Sequence, residues 1–254
     1  EDGLLSSGTP QIQNTWMDAK IGDIVVTPRN GKAIEINALW YNALKIMEDF
    51  ANLYKEKELA KKYSELSKKC KANFVKKFYN KKRKCFDDLV GDNSIRPNQL
   101  FAIGLHYPIV EPNSEEAKTA FETVTKKLLT PYGLKTLAKG EKCYREIYEG
   151  DQIKRDMSYH QGITWPWLLG IYSDSFLNII NSEKNKTKKK ELEEQYSKFA
   201  QNVEDTFYNE MYNRSTVGSI SELYDSAKPY EAKGAFAQAW SVAEIFRIII
   251  HNKH

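Results

Sequence analysis

Apolar residues recur at three- and four-residue intervals in one segment after another of this 254-residue chain. Ile36, Trp40, Ala43, Met47, Phe50 and Tyr54 form one series. Leu59, Tyr63, Leu66, Cys70, Phe74 and Phe78 form a second, whose other face is nearly all Lys and Glu. Further series run through Ala117, Phe121, Val124 and Leu128, and through Leu168, Leu169, Tyr172, Phe176 and Ile180. Two more run through Leu192, Tyr196, Phe199, Val203, Phe207 and Met211, and through Phe236, Trp240, Ala243, Arg247 and Ile250. Such spacing lines an apolar stripe along one side of an α-helix. With Pro97 placed to start another, the count is about seven helices, and strand candidates are confined to 24–26 and 143–148. The pattern predicts an all-α chain, read as one domain over residues 1–254. Its helical hairpins are joined alternately by short and long connections in a ring or superhelix, with one set of loops elaborated for function.

Hydrophobic residues make up 41% and charged residues 28%, a balance that supports a packed core and excludes a disordered chain. No apolar run approaches the roughly 18 residues of a membrane span, and no basic-then-apolar leader is visible. No membrane partner is expected. The formal net charge of +4 is slight for this length and does not point to nucleic acid. Lys81 to Lys84 read as a solvated helix end, where the dipole favours cations. Cys70, Cys85 and Cys143 lie at no metal-ligand spacing and are odd in number, as expected of unpaired thiols in a reducing cytoplasm.

Aromatic residues, 12% of the chain with 5 Trp and 15 Tyr, often sit beside polar residues instead of inside apolar runs. Between Thr15 and Leu44 the sequence crowds Asp18, Lys20, Arg29, Glu35 and Asn37 among Trp16, Trp40 and Tyr41. A packed core needs few of those polar groups. A sugar site uses all of them, with flat rings for C–H faces and carboxylates, amides and guanidinium for hydroxyls. Asp18 to Arg29 reads as loop, with Gly22 and Pro28 within it. A second loop, about 28 residues from Thr130 to Ser158, is long enough to be functional and ends in the aromatic run Tyr159 to Trp167. A third covers Val217 to Asp225. Asp18 and Glu222, from two of these loops, are candidates for the pair of carboxylates that glycosidic hydrolysis requires. One donates a proton to the leaving oxygen and the other takes one from water. A carboxylate also commonly caps a helix or pairs with Arg, so residue type alone leaves the role open. His160 reads as a hydrogen-bonding or structural histidine, since only Asp156 lies at a spacing for shared metal ligation.

The segments Thr15-Trp16-Met17-Asp18-Ala19, Thr27-Pro28-Arg29, Glu35-Ile36-Asn37-Ala38-Leu39-Trp40-Tyr41, Arg96-Pro97-Asn98-Gln99, Tyr159-His160-Gln161-Gly162, Trp165-Pro166-Trp167, Ser221-Glu222-Leu223-Tyr224-Asp225 and Gly234-Ala235-Phe236-Ala237-Gln238-Ala239-Trp240 together resemble the C-terminal domain family of glycogen debranching enzymes. The resemblance runs in the family's order from residue 15 to about 247. It implies an (α/α)6 toroid of the glucoamylase-like glycosidase type, and an amylo-α-1,6-glucosidase that removes a single glucose from an α-1,6 branch with inversion. It implies Asp18 as general acid and Glu222 as general base. It further implies a pocket wall drawn from Trp16, Arg29, Glu35, Asn37, Trp40, Arg96, Gln99, His160, Gln161, Trp165, Trp167, Gln238 and Trp240. No metal or other cofactor is implied, and the partner is an α-glucan such as glycogen or its limit dextrin. About seven helices fall short of a full ring. The expectation is therefore a toroid lacking its N-terminal helices, its open side covered by an N-terminal domain of the same protein or by a dimer. The alternatives are another α-glucosidase or glucoamylase-like hydrolase of the same fold, and a glucan-binding fragment without turnover.

Overall fold

A computed structural model describes residues 1–12, 14–214 and 217–253. Behind a largely irregular lead-in, strands β1 (Lys20–Ile21) and β2 (Ile24–Val25) form a hairpin, followed by helices α1 (Ile34–Leu53) and α2 (Lys57–Phe78). A second hairpin pairs β3 (Tyr79–Asn80) with β4 (Cys85–Phe86). A 3-10 turn with Pro97 in its first turn, Pro97–Leu100, runs into the short helix α3 (Phe101–Gly104). Then come α4 (Glu115–Leu128), β5 (Leu129–Thr130), β6 (Gly133–Lys135), α5 (Gln152–Ser158), β7 (Thr164–Trp165) and α6 (Leu168–Ser182). The chain continues through α7 (Lys186–Asn213), β8 (Leu223–Tyr224), β9 (Ala232–Lys233) and α8 (Ala239–Lys253).

The helix starts follow local chemistry. Ser114, Asp151 and Asn185 each accept a backbone N–H three residues ahead, capping α4, α5 and α7. α4 also carries Glu115 and Glu116 in its first turn and Lys126 and Lys127 in its last, which complements the helix dipole. Ala117, Phe121, Val124 and Leu128 of α4, and Leu168, Leu169, Tyr172, Phe176 and Ile180 of α6, are buried as their spacing predicts. They join Cys70, Phe74 and Phe78 of α2 in one continuous core.

The all-α expectation is overturned. Strands β5 to β9 form a five-stranded antiparallel sheet in chain order, with Leu134 opposite Trp165, Thr164 opposite Tyr224 and Leu223 opposite Lys233. The fold is mixed, helices with a central sheet, and not the all-α (α/α)6 toroid or a truncated form of it. The cause is strand length. Each strand has two or three residues, and alternation is not legible below about four. The candidate at 143–148 is irregular, whereas Ile24 and Val25 do form β2.

Helices α1 and α8 also turn differently from expectation. α1 buries Ile34, Ala38, Tyr41, Leu44 and Ala51, and leaves Met47, Phe50 and Tyr54 on its exposed side. α8 buries Ser241, Ile245 and Ile248, with Ala243, Arg247 and Ile250 outward. Both helices are apolar on more than one face, so periodicity does not select the face that packs. Among the described residues, no helix is long and apolar enough to cross a membrane.

Candidate active site

The residues singled out from the sequence fall into two neighbouring constructions. The first is a buried frame. Arg29 donates from Nε to Asp88 at 2.8 Å, and its terminal nitrogens grip both oxygens of Glu35 at the start of α1. Arg96 lies 3.6 Å from Asp88 and donates to the carbonyls of Thr136 (3.0 Å) and His160 (2.7 Å) and to the Gln161 side chain (3.0 Å). Two guanidiniums are thus balanced by two carboxylates inside the protein. Burial works against the charge of Arg29, and the carboxylates of Asp88 and Glu35 more than restore it, holding its pKa above the ordinary value. Burial wins for Arg96, which is pushed down.

The frame orients a tryptophan. Asp88 accepts from Asn98 at 2.7 Å, and Asn98 accepts from the indole N–H of Trp16 at 2.8 Å. Trp16 then stands edge-on to His160, Trp165 and Trp167, with ring centroids 5.3, 5.6 and 5.0 Å away. Trp240 stacks on Trp167 at 4.9 Å and meets Trp165 edge-on. Five of the sequence-selected rings therefore form one cluster. His160 stacks on Trp165, and neither of its ring nitrogens finds a hydrogen-bond partner among the described residues. Burial, reinforced by Arg96 and Arg29, lowers its pKa to about 3, so the ring is neutral.

The second construction is an open cavity of about 640 Å³ lined by Tyr148, Glu149, Gly150, Arg155, Glu222, Lys233, Gly234 and Ala235. The sheet builds it, since Glu222 immediately precedes β8 while Lys233 ends β9, the strand paired with it. Glu222 is held at both oxygens. Oε1 accepts from the phenol of Tyr159, and Oε2 accepts from the backbone N–H of Ala235 at 2.9 Å. Asp225 accepts the Tyr148 N–H at 2.7 Å and faces Lys233 at 3.7 Å, with burial raising its pKa against those two influences.

Asp18 is exposed just before β1, the strand that packs near α5, and it does not line the cavity. Tyr159 directly follows α5 and donates its phenol to Glu222. Its phenol is pushed well above the ordinary tyrosine range, first by burial, then by the hydrogen bond and charge of Glu222, with smaller contributions from Tyr148 and Asp18.

The other sequence-selected residues meet protein. Asn37 binds the backbone of Leu5 through both its amide atoms, and Trp40 donates to the Gly3 carbonyl at 3.2 Å, so both tie down the lead-in. Gln99 links the Arg96 carbonyl to the Phe86 N–H. Gln161 reaches Val26 and Thr27 beyond the first hairpin. Gln238 is half-buried beside Trp240, its backbone N–H on the Ile220 carbonyl. Sequence reasoning did not select Asp88, Tyr148, Tyr159 or Lys233. Tyr159 stood inside a quoted motif, but its partner Glu222 is 63 residues away. Asp88 carried no signal, because its partner Arg29 lies 59 residues off.

The family model described as amylo-alpha-1,6-glucosidase matches residues 1–247. The glycogen debranching enzyme of Saccharomyces cerevisiae (strain ATCC 204508 / S288c) is 27% identical, with the similarity covering 68% of this chain and 14% of that protein. The chain thus spans about 14% of the curated relative it matches. Among solved structures, one described as a sialidase superposes with a TM-score of 0.66 at 17% identity, covering 89% of this chain and 20% of its own. At that identity the likeness concerns the fold alone.

Proposed function

The chain belongs to the amylo-alpha-1,6-glucosidase family, and from that premise we propose that its residues 1–254 act as one domain releasing glucose from α-1,6 branch points of glycogen or a related α-glucan. In this reading Glu222 is the general base and Asp18 the general acid. Water attacks the anomeric carbon of the branch glucose as its proton passes to Glu222. The bond from that carbon to the chain oxygen breaks, and Asp18 protonates the departing oxygen. Attack from the face opposite the leaving group gives the inverted sugar. In this reading the partly exposed Trp16, Trp167 and Trp240 offer flat faces to the sugar, with Trp165 buried among them.

The observation that supports this best is the setting of Glu222, whose carboxylate lines an open cavity and is held at both oxygens by the Tyr159 phenol and the Ala235 N–H. The test is glucose release from a singly branched α-glucan oligosaccharide by the intact protein. Asp18→Asn and Glu222→Gln should each lower turnover by about 10²- to 10⁴-fold with oligosaccharide binding kept. Wild-type turnover in either variant sinks the assignment. NMR of the fresh product should show the β-anomer, and maltose should be a much poorer substrate than the branched sugar.

A second reading is favoured by the exposure of Asp18 outside the cavity. In it the domain holds glucan without cleaving it. Binding of the branched oligosaccharide with no glucose released by the intact wild-type protein would select that reading.

A further inference from the structure

We propose that Tyr159 is a positioning residue that locks the Glu222 carboxylate in the orientation from which it accepts the proton of water, and so couples the base to the tryptophan cluster. The inference rests on the reading of Glu222 as base given above.

A glutamate at a cavity wall ordinarily turns freely about its last side-chain bond. Glu222 does not, because each oxygen has a donor of its own. The Tyr159 hydroxyl donates to Oε1 and the Ala235 N–H donates to Oε2. The two donors differ in kind. Ala235 belongs to a strand extension whose carbonyl also receives the Glu222 N–H at 2.9 Å, so that contact is built into the backbone. Tyr159 reaches Glu222 across 63 residues of sequence, from the end of α5. A third restraint is steric. Gly234 has a φ of +70°, and a Cβ there would come 2.3 Å from Oε2 and 3.1 Å from the Glu222 Cβ. Only glycine leaves the carboxylate where it is. With one hydrogen bond at each oxygen, lone pairs remain on both to receive a water.

The phenol is itself immobilised by the aromatic wall. Its ring packs edge-on to Trp165 at 4.9 Å and against His160 at 4.7 Å and Tyr148 at 5.7 Å. The indole N–H of Trp165 donates to the Tyr159 carbonyl at 3.0 Å. A shift of the wall is therefore transmitted to the base through a single hydroxyl. The titratable and charged groups acting on that hydroxyl are Glu222, Tyr148 and Asp18.

The experiment is steady-state kinetics of Tyr159→Phe in the intact protein on a singly branched α-glucan oligosaccharide, alone and combined with Glu222→Gln. Phe keeps the ring and its packing, so the melting temperature should stay close to wild type. The expected result is a fall in kcat of about 10- to 100-fold, the worth of one hydrogen bond to a charged group, with KM within about twofold of wild type. In the Glu222→Gln background the same change should add nothing. Gly234→Ala, acting on the opposite oxygen, should lower kcat in the same direction. Wild-type kcat in Tyr159→Phe, with Glu222→Gln inactive, would overturn this inference and leave the base assignment standing. A rise in KM with kcat unchanged would overturn it in favour of a sugar-binding role for Tyr159. Full turnover in Glu222→Gln would remove the base assignment and this inference with it.

Discussion

The buried frame and the cavity rim are both built from carboxylates and their donors, yet they do opposite things with them. In the frame, Asp88 and Glu35 face Arg29 and Arg96 with all four side chains inside the protein. At the rim, Glu222 is only partly covered, its donors are a phenol and a backbone amide, and it opens on a cavity. A carboxylate paired with a guanidinium out of water is fixed by charge and has nothing left to offer a ligand. One held by neutral donors beside solvent is fixed in place and remains able to react. Residue type does not separate the two cases. Surroundings do.

The contrast is most exposed at Asp88. Asp88→Ala leaves the buried Arg96 without its carboxylate and Arg29 with Glu35 alone, and should cost about 3–5 kcal/mol of stability in urea titrations. Glu222→Gln should shift the same curves by less than about 1 kcal/mol while removing turnover. Equal stability losses in the two variants would erase the distinction between frame and rim.

Gly234→Ala tests the rim from the backbone side. A residue with a Cβ at φ +70° is strained by about 1–2 kcal/mol, and displacement of Glu222 should accompany that. Thermal melting should therefore fall together with activity, unlike Glu222→Gln, where activity falls alone.

His160 sits where the two constructions meet, and its pKa of about 3 gives stability a pH dependence. The unfolded histidine titrates near 6.5, so between about 6.5 and 3 the unfolded chain binds the extra proton. The contribution is complete above pH 6.5 and is lost as pH falls toward 3, at up to about 1.4 kcal/mol per unit. His160→Phe, which keeps a flat ring against Trp165, should flatten the stability profile between pH 6.5 and 5.5. An unchanged slope there would place the acid sensitivity elsewhere. The smallest effect belongs to an ion pair left in water. Lys126→Ala breaks the exposed pair with Glu122, 3.4 Å apart, and should change stability by less than about 0.5 kcal/mol.

Legibility followed length scale. Helices α4 and α6 could be read with their buried faces, because an apolar stripe repeats several times within fourteen or fifteen residues. The sheet could not, because its strands end before alternation begins. In α1, Trp40 and Phe50 share a helix with Tyr41 and Leu44, and the second pair won the core. In the candidate site, Trp16, His160, Trp165, Trp167 and Trp240 were selected by motif and do gather in one place. Arg29 and Glu35 were selected on the same grounds, and the structure places them in the frame. A motif marks residues that belong together without separating those facing a ligand from those supporting the ones that do.

The family, most helices and the cast of polar and aromatic residues are written in residue order, since each is carried by short-range spacing or by an ordered series of motifs. Tertiary structure alone decided the central sheet, the outward faces of α1 and α8, and the partners of Asp88 and Tyr159. Those depend on which distant segments meet. A hydrogen bond across 63 residues, such as that of Tyr159 to Glu222, leaves no periodic trace along the chain.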